Sequence, residues 1–213
     1  LHVAGLNTGS IPLAVNACGF VPVRALARAD GSYGYTMQVI VPANSDIKDV
    51  DDLGEMVGSG ENARHRRVTF TSPSSNSGFK APVVILMHSD SIKQIAEGKL
   101  EAATVASDMV DRSVALEGVD PSKFRAIYES ERFPPAALGY VYNLSPELAE
   151  QVRGVLTNFQ FPEGSALAEE FAPSGVTQLV GINYKDDFAV IRRIDDALGY
   201  VHELSDSTVT VSD

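Results

Sequence analysis

The chain has 213 residues, 44% of them apolar and 21% charged, with a net charge of −11 and a pI of about 4.7. That length supports one large domain or two small lobes, and the composition is globular rather than disordered. The acidic balance argues against nucleic acid and anionic membrane surfaces as partners, because both are bound through clustered Lys and Arg.

The single basic run, Arg64-His65-Arg66-Arg67, reads as a solvated loop. No apolar run approaches the roughly 18 residues of a membrane span. Cys18 is alone, so no intrachain disulfide can form, and its apolar neighbours predict a buried, inert thiol. The first residue is Leu rather than Met and no signal segment is legible, so we expect that something precedes the sequence.

Residues 1–6 read as a buried strand, followed by the polar turn Asn7-Thr8-Gly9-Ser10 and a helix start at Ile11-Pro12, where Pro suits a first turn. Phe20 to Val23 is extended, Asp30-Gly31-Ser32 is a turn, and Tyr35 to Val41 alternates as a strand closed by Pro42. Tyr33 and Tyr35 are cleft candidates, although aromatic residues in a strand usually serve packing. Asp49 to Gly54 is a short acidic helix or turn, and 55–67 carries no apolar period and reads as a surface loop.

Val68 to Thr71 is a strand, and Phe79 to Met87 a helix. Between them lies Ser72-Pro73-Ser74-Ser75-Asn76-Ser77-Gly78. Strand, hydroxyl-rich turn, helix is the order that presents free N–H groups and short polar side chains at a helix N-terminus, which favours an anion. Ser75, Asn76, Ser77 and Gly78 are therefore the candidate anion cradle, with a simple helix cap as the plainer reading. Ser89-Asp90-Ser91 offers a cap for a helix over Ile92–Glu97, stopped by Gly98.

Leu100 to Ala106 is a buried strand, and Ser107-Asp108 caps the helix carrying Met109, Val110, Val114 and Leu116. Phe124 to Tyr128 is a strand, Glu129 to Pro135 a linker by composition, and Gly139 to Tyr142 extended. Helices follow from Ser145-Pro146 to about Phe159, over Glu163–Phe171 and over Asp186–Leu198, with Val176–Ile182 extended. Strands alternating with helices give an α/β fold with a largely parallel sheet. Extended segments near Val39–Pro42 and Arg132–Tyr142 point to two α/β lobes joined by two crossings, with a ligand between them.

Four stretches resemble one family: His2-Val3-Ala4-Gly5-Leu6-Asn7-Thr8-Gly9, Phe70 through Pro82, Phe133 through Leu144, and Asn183 through Arg192. The family is the phosphate/phosphite/phosphonate substrate-binding proteins of ABC transporters. The resemblance implies a type II periplasmic binding protein fold, divided as 1–41 (part of the first lobe), 42–133 (second lobe) and 134–213 (first lobe again with the C-terminal helices). It also implies that the first lobe is incomplete at the N-terminus and that the chain is truncated.

Carried onto matching positions, the resemblance implies that Ser75, Asn76 and Ser77 donate to phosphorus-bound oxygens and that His88 reaches the anion. It further implies that Asp108 stands at an acidic position after the next strand and that the Asn7–Thr8 loop closes over the ligand. The aminoalkylphosphonate branch has an acid in the second crossing where this chain has Ala136, which leans toward phosphite, phosphate or a small uncharged phosphonate.

The expected function is capture of such an oxyanion for a membrane permease by a monomer outside the cytoplasm, secreted or lipid-anchored, with no chemistry performed. A hydrolase using Ser75 or Ser77 with His88 is the alternative, but the serine cluster lacks the first Gly of a Gly-x-Ser-x-Gly elbow. A ligand-sensing domain of a regulator is a third reading, weakened by the lack of a DNA-binding segment. With no HExxH, paired cysteines or Walker pattern, no metal or cofactor is expected.

Overall fold

The computed structural model describes residues 2–69, 72–85 and 101–199. Two four-stranded sheets organise them. The first contains β1 (Val3–Leu6), β2 (Phe20–Arg28), β9 (Ala137–Val141) and β10 (Val176–Gly181) in the order β1-β9-β2-β10. The second contains β3 (Tyr35–Pro42), β6 (Val68–Thr69), β7 (Ala102–Ala106) and β8 (Phe124–Phe133) in the order β6-β7-β3-β8. The chain passes from the first sheet to the second through residues 29–34 and returns through 134–136. The Val39–Pro42 segment, expected near a crossing, lies well inside β3, where Val39, Ile40 and Val41 are fully buried.

The expected parallel sheet is not what forms. Among the described strand pairs only β6 and β7 run parallel; β1–β9, β2–β9, β2–β10, β3–β7 and β3–β8 are all antiparallel. Strand–helix alternation enforces parallel pairing only when the connection returns to the same sheet. Here β2 leads into β3 of the other sheet, and β8 into β9, so at both changes of sheet the strands consecutive in sequence do not pair.

Glu129 to Phe133, read as linker, is the second half of the ten-residue β8. β8 is an edge strand of its sheet, and polar residues such as Glu129, Glu131 and Arg132 suit an edge exposed to water. The 55–67 segment holds a two-residue pairing of β4 (Met56–Val57) with β5 (Arg64–His65). Its basic run is held by acids: Arg66 grips Asp46 with both guanidinium nitrogens at 3.0 Å, and Arg64 meets Glu101 at 2.7 Å.

The helices are α1 (Ile11–Cys18), α2 (Ala81–Ile85), α3 (Ser107–Glu117), α4 (Pro146–Asn158), α5 (Ala166–Phe171), α6 (Tyr184–Asp187) and α7 (Ala189–Ala197). α1 carries Pro12 in its first turn and stops at Gly19, whose φ of 62° is left-handed and favours glycine. Cys18 at its last position is exposed rather than buried, because the residues of this helix that pack on the core are Ile11, Pro12, Ala14 and Val15, toward its start and middle. The main core joins Ile11, Phe20, Met37, Phe133, Ala137, Phe188 and Ile191, drawn from both sheets and from the C-terminal helix.

Candidate functional site

β6 leads to a turn that enters a single π-helical turn, Asn76–Lys80, continued by α2. Ser75 is its N-cap: the hydroxyl accepts from the Gly78 N–H at 3.1 Å. That bond uses the Gly78 N–H and one lone pair of the Ser75 hydroxyl, so Ser75 caps the helix while its own O–H is not consumed by the cap. Asn76 and Ser77 are different. Both are buried, at 2% and 6% exposure; among the described residues neither amide atom of Asn76 makes a hydrogen bond of good geometry, although its side chain lies close enough to the Tyr35 hydroxyl to hold that phenol down. A buried amide with both ends unpaired costs on the order of 1–3 kcal/mol per group and calls for an explanation.

The Tyr35 hydroxyl at the start of β3 supplies part of the setting. Burial pushes this phenol up, and the Thr8, Asn76 and Ser77 side chains beside its oxygen oppose the shift. Thr8, Tyr35 and Ser77 line one cleft together with Asn7, Asp108 and Ala136. Its volume is about 290 Å³, enough for a small ligand. Leu26, Met109, Pro135, Phe171 and Val176 make another part of the wall apolar, and Arg28 also lines it.

Asp108 sits in the first turn of α3 rather than at its cap; Ala106 holds the cap position with no side-chain bond. Its carboxylate accepts the Met109 N–H at 3.0 Å, while the Ser107 hydroxyl accepts from the Thr36 N–H of β3 at 3.0 Å. Burial raises the Asp108 carboxyl above its ordinary range; the bond from Met109 and the charge of Arg28 pull against this, and Asp111 adds to it.

On the first-sheet side, Asn7 caps a short turn, its side-chain oxygen accepting from the Ser10 N–H at 2.9 Å. Thr8 donates its hydroxyl proton to the Pro134 carbonyl at 2.8 Å, tying this loop to the second crossing. Gly9 packs against the serine turn so closely that a Cβ there would lie 2.4 Å from the Ser74 carbonyl oxygen and 3.0 Å from the Asn76 nitrogen. Beneath this contact Lys80 donates to the Gly9 carbonyl at 2.6 Å and to Asp195 of α7 at 2.7 Å; both side chains are nearly or wholly buried.

The structure thus brings Asn7, Thr8, Ser77 and Asp108 to one cleft; Ser75, Asn76 and Gly78 are not among its lining residues, Asn76 being buried beside the Tyr35 hydroxyl. His88 lies outside the described residues. Sequence reasoning missed Arg28 and Lys80. For Arg28 the available signal was a charged residue ending an apolar strand just before a Gly-containing turn; for Lys80 it was a lysine inside an apolar helix.

A family model described as "ABC transporter, phosphonate, periplasmic substrate-binding protein" matches residues 1–187. The chain belongs to this family. Members are substrate-binding components of transporters, so the protein is not an enzyme and the hydrolase alternative falls. A binding protein component of an ABC phosphonate transporter from Pseudomonas aeruginosa superimposes with a TM-score of 0.69 at 17% identity, covering 92% of this chain and 68% of that one. PhnD1 from Prochlorococcus marinus, solved with methylphosphonate, gives 0.69 at 12% identity, covering 94% and 79%. The aliphatic sulphonate binding protein SsuA from Escherichia coli gives 0.58 at 14%, covering 94% and 74%. At these identities the likeness is one of fold, the type II periplasmic binding protein fold. No curated protein sequence matched the chain. Among the described residues no helix of this family member is long and apolar enough to cross a membrane.

Proposed function

We propose that this phosphonate-binding family member holds a small phosphorus oxyanion in the cleft between its two sheets and delivers it to a membrane permease. The observation that carries the reading is the Asn76 amide, buried at 2% exposure with both polar atoms unpaired, beside Tyr35 and Ser77. A tetrahedral oxyanion bordered by short donors accepts from Asn76, Ser77 and Tyr35 together, and charge-assisted bonds of this kind are the strong ones. Asp108, with its raised carboxyl, faces the same space. A carboxylate there accepts from a ligand that keeps one phosphoryl O–H, whose last proton leaves near pH ~6.

The other residues named from the sequence belong to the same proposal. Ser75 and Gly78 shape the turn, and Asn7 and Thr8 close over the ligand. His88 is a further ligand contact. Ala136 stands in the lining at the place where the aminoalkylphosphonate branch carries an acid. The two sheets are the hearts of two lobes, and the protein works as a monomer outside the cytoplasm, secreted or lipid-anchored.

Calorimetric titration with phosphite, phosphate, methylphosphonate and aminoethylphosphonate tests the reading. At least one of the first three should bind, and Ser77→Ala should weaken it about tenfold or more, as the loss of one charge-assisted bond predicts. No binding by any of the four, or a Ser77→Ala variant that binds as the wild type does, refutes it.

A further inference from the structure

We infer that the ligand carries a carboxylate at the end opposite its phosphorus, and that Arg28 receives it. This rests on the reading of the cleft as an oxyanion site. Arg28 ends β2, and its backbone is fully engaged: its N–H donates to Ser32 at 2.8 Å, and its carbonyl accepts from Gly31 at 2.9 Å and from the Gln178 amide at 2.6 Å. Its side chain runs across Gly175, with Cγ and Cδ 3.9 Å from where a side chain there would begin. Ser174 and Val176, on either side of that glycine, line the cleft.

Among the described residues the guanidinium has no hydrogen-bond acceptor and no carboxylate at ion-pair distance. Arg64, Arg66, Arg67, Arg112 and Arg193 all have acidic partners. The acids whose fields reach Arg28 are Asp30 and Asp108, and each already takes a backbone N–H: Asp30 from Ser32 at 2.8 Å, Asp108 from Met109 at 3.0 Å.

Tyr35, Ser77 and Arg28 all line the one cleft, with Asn76 buried beside the Tyr35 hydroxyl, and Leu26 and Met109 contribute apolar wall suited to a methylene. Arg28 is partly buried in this wall, and a carboxylate matches the planar fork of a guanidinium in a bidentate pair. Opposite charge at a tail site also explains why Ala136 is tolerated: no acid is needed where the tail itself is the acid. The substrate class is a short phosphonocarboxylate.

Titration of the wild type with methylphosphonate, ethylphosphonate and phosphonoacetate tests this, because the last two differ only in a methyl against a carboxylate. Phosphonoacetate should bind about tenfold or more tighter than ethylphosphonate, the scale of one charge-assisted pair. In Arg28→Met the ratio of those two affinities should fall to about one, and Arg28→Lys should retain part of it. Should Arg28→Met fail to fold, the wild-type ratio and Arg28→Lys still decide. Ethylphosphonate binding as tightly as phosphonoacetate to the wild type, or a preference that survives Arg28→Met, overturns the inference. Binding of methylphosphonate without any carboxylate preference removes this inference alone; no binding by all three also overturns it, and only a failure of phosphite and phosphate as well removes the cleft reading beneath it.

Discussion

Lys80 and Asp195 form an ion pair at 2.7 Å with side-chain exposures of 7% and 0%, and Lys80 also holds the Gly9 carbonyl at 2.6 Å. Lys80→Met leaves Asp195 a fully buried carboxylate without this cation. Removing one partner of a buried pair costs about 3–5 kcal/mol, whereas replacing both by apolar groups of similar volume is often neutral. For a chain of this size each kcal/mol moves the melting temperature by roughly 2–4 °C, so Lys80→Met should melt about 6–20 °C lower. The double variant Lys80→Met/Asp195→Leu should recover at least half of that loss, giving a positive coupling in a double-mutant cycle. Urea unfolding followed by circular dichroism measures all four corners. A single-variant cost under about 1 kcal/mol, or a double variant as unstable as the sum of the singles, would show that the pair does not act as a unit.

Asn76→Leu should raise the melting temperature of the ligand-free protein, since it removes two buried unpaired atoms, and should weaken oxyanion binding about tenfold or more; thermal melts and titration read both. Asp108→Asn keeps an oxygen for the Met109 N–H but removes a carboxyl raised by burial. A raised carboxyl contributes stability below its ordinary value of 3.8 and loses it as pH rises through its folded value, so Asp108→Asn should stabilise at neutral pH, with the gain fading in acid. Melts between pH 3 and 8 that show no such trend contradict the assignment. Gly9→Ala should cost about 1–3 kcal/mol, because its methyl meets the Ser74 carbonyl at 2.4 Å; an unchanged unfolding midpoint would mean the two loops are not in firm contact.

The strand–hydroxyl turn–helix junction at Ser75–Gly78 was legible because it depends on local chemistry: β-branched residues, then small cap formers, then an apolar run. What local chemistry cannot distinguish is which polar atoms the cap itself consumes. The Ser75 hydroxyl accepts from the Gly78 N–H, whereas Ser77 lines the cleft and Asn76 is buried beside Tyr35. Arg28 and Lys80 were not legible because their roles come from pairings distant in sequence, Arg28 with Val176 across the β2–β10 ladder and Lys80 with Asp195. The sense of the sheets escaped for the same reason: alternation of strand and helix says nothing about a chain that changes sheet between consecutive strands. Residues 129–133 looked like linker because an edge strand needs apolar residues on one face only.

The two connections between the sheets enter as bonded neighbours: Tyr35, the first residue of β3, faces Phe133, the last of β8. One connection is three residues long and contains Pro134 and Pro135; the other, six residues long, ends in Gly34 at a φ of 99°. A rearrangement that bent both connections together would turn one sheet against the other about the Tyr35–Phe133 pair, and a distance across the cleft would report it.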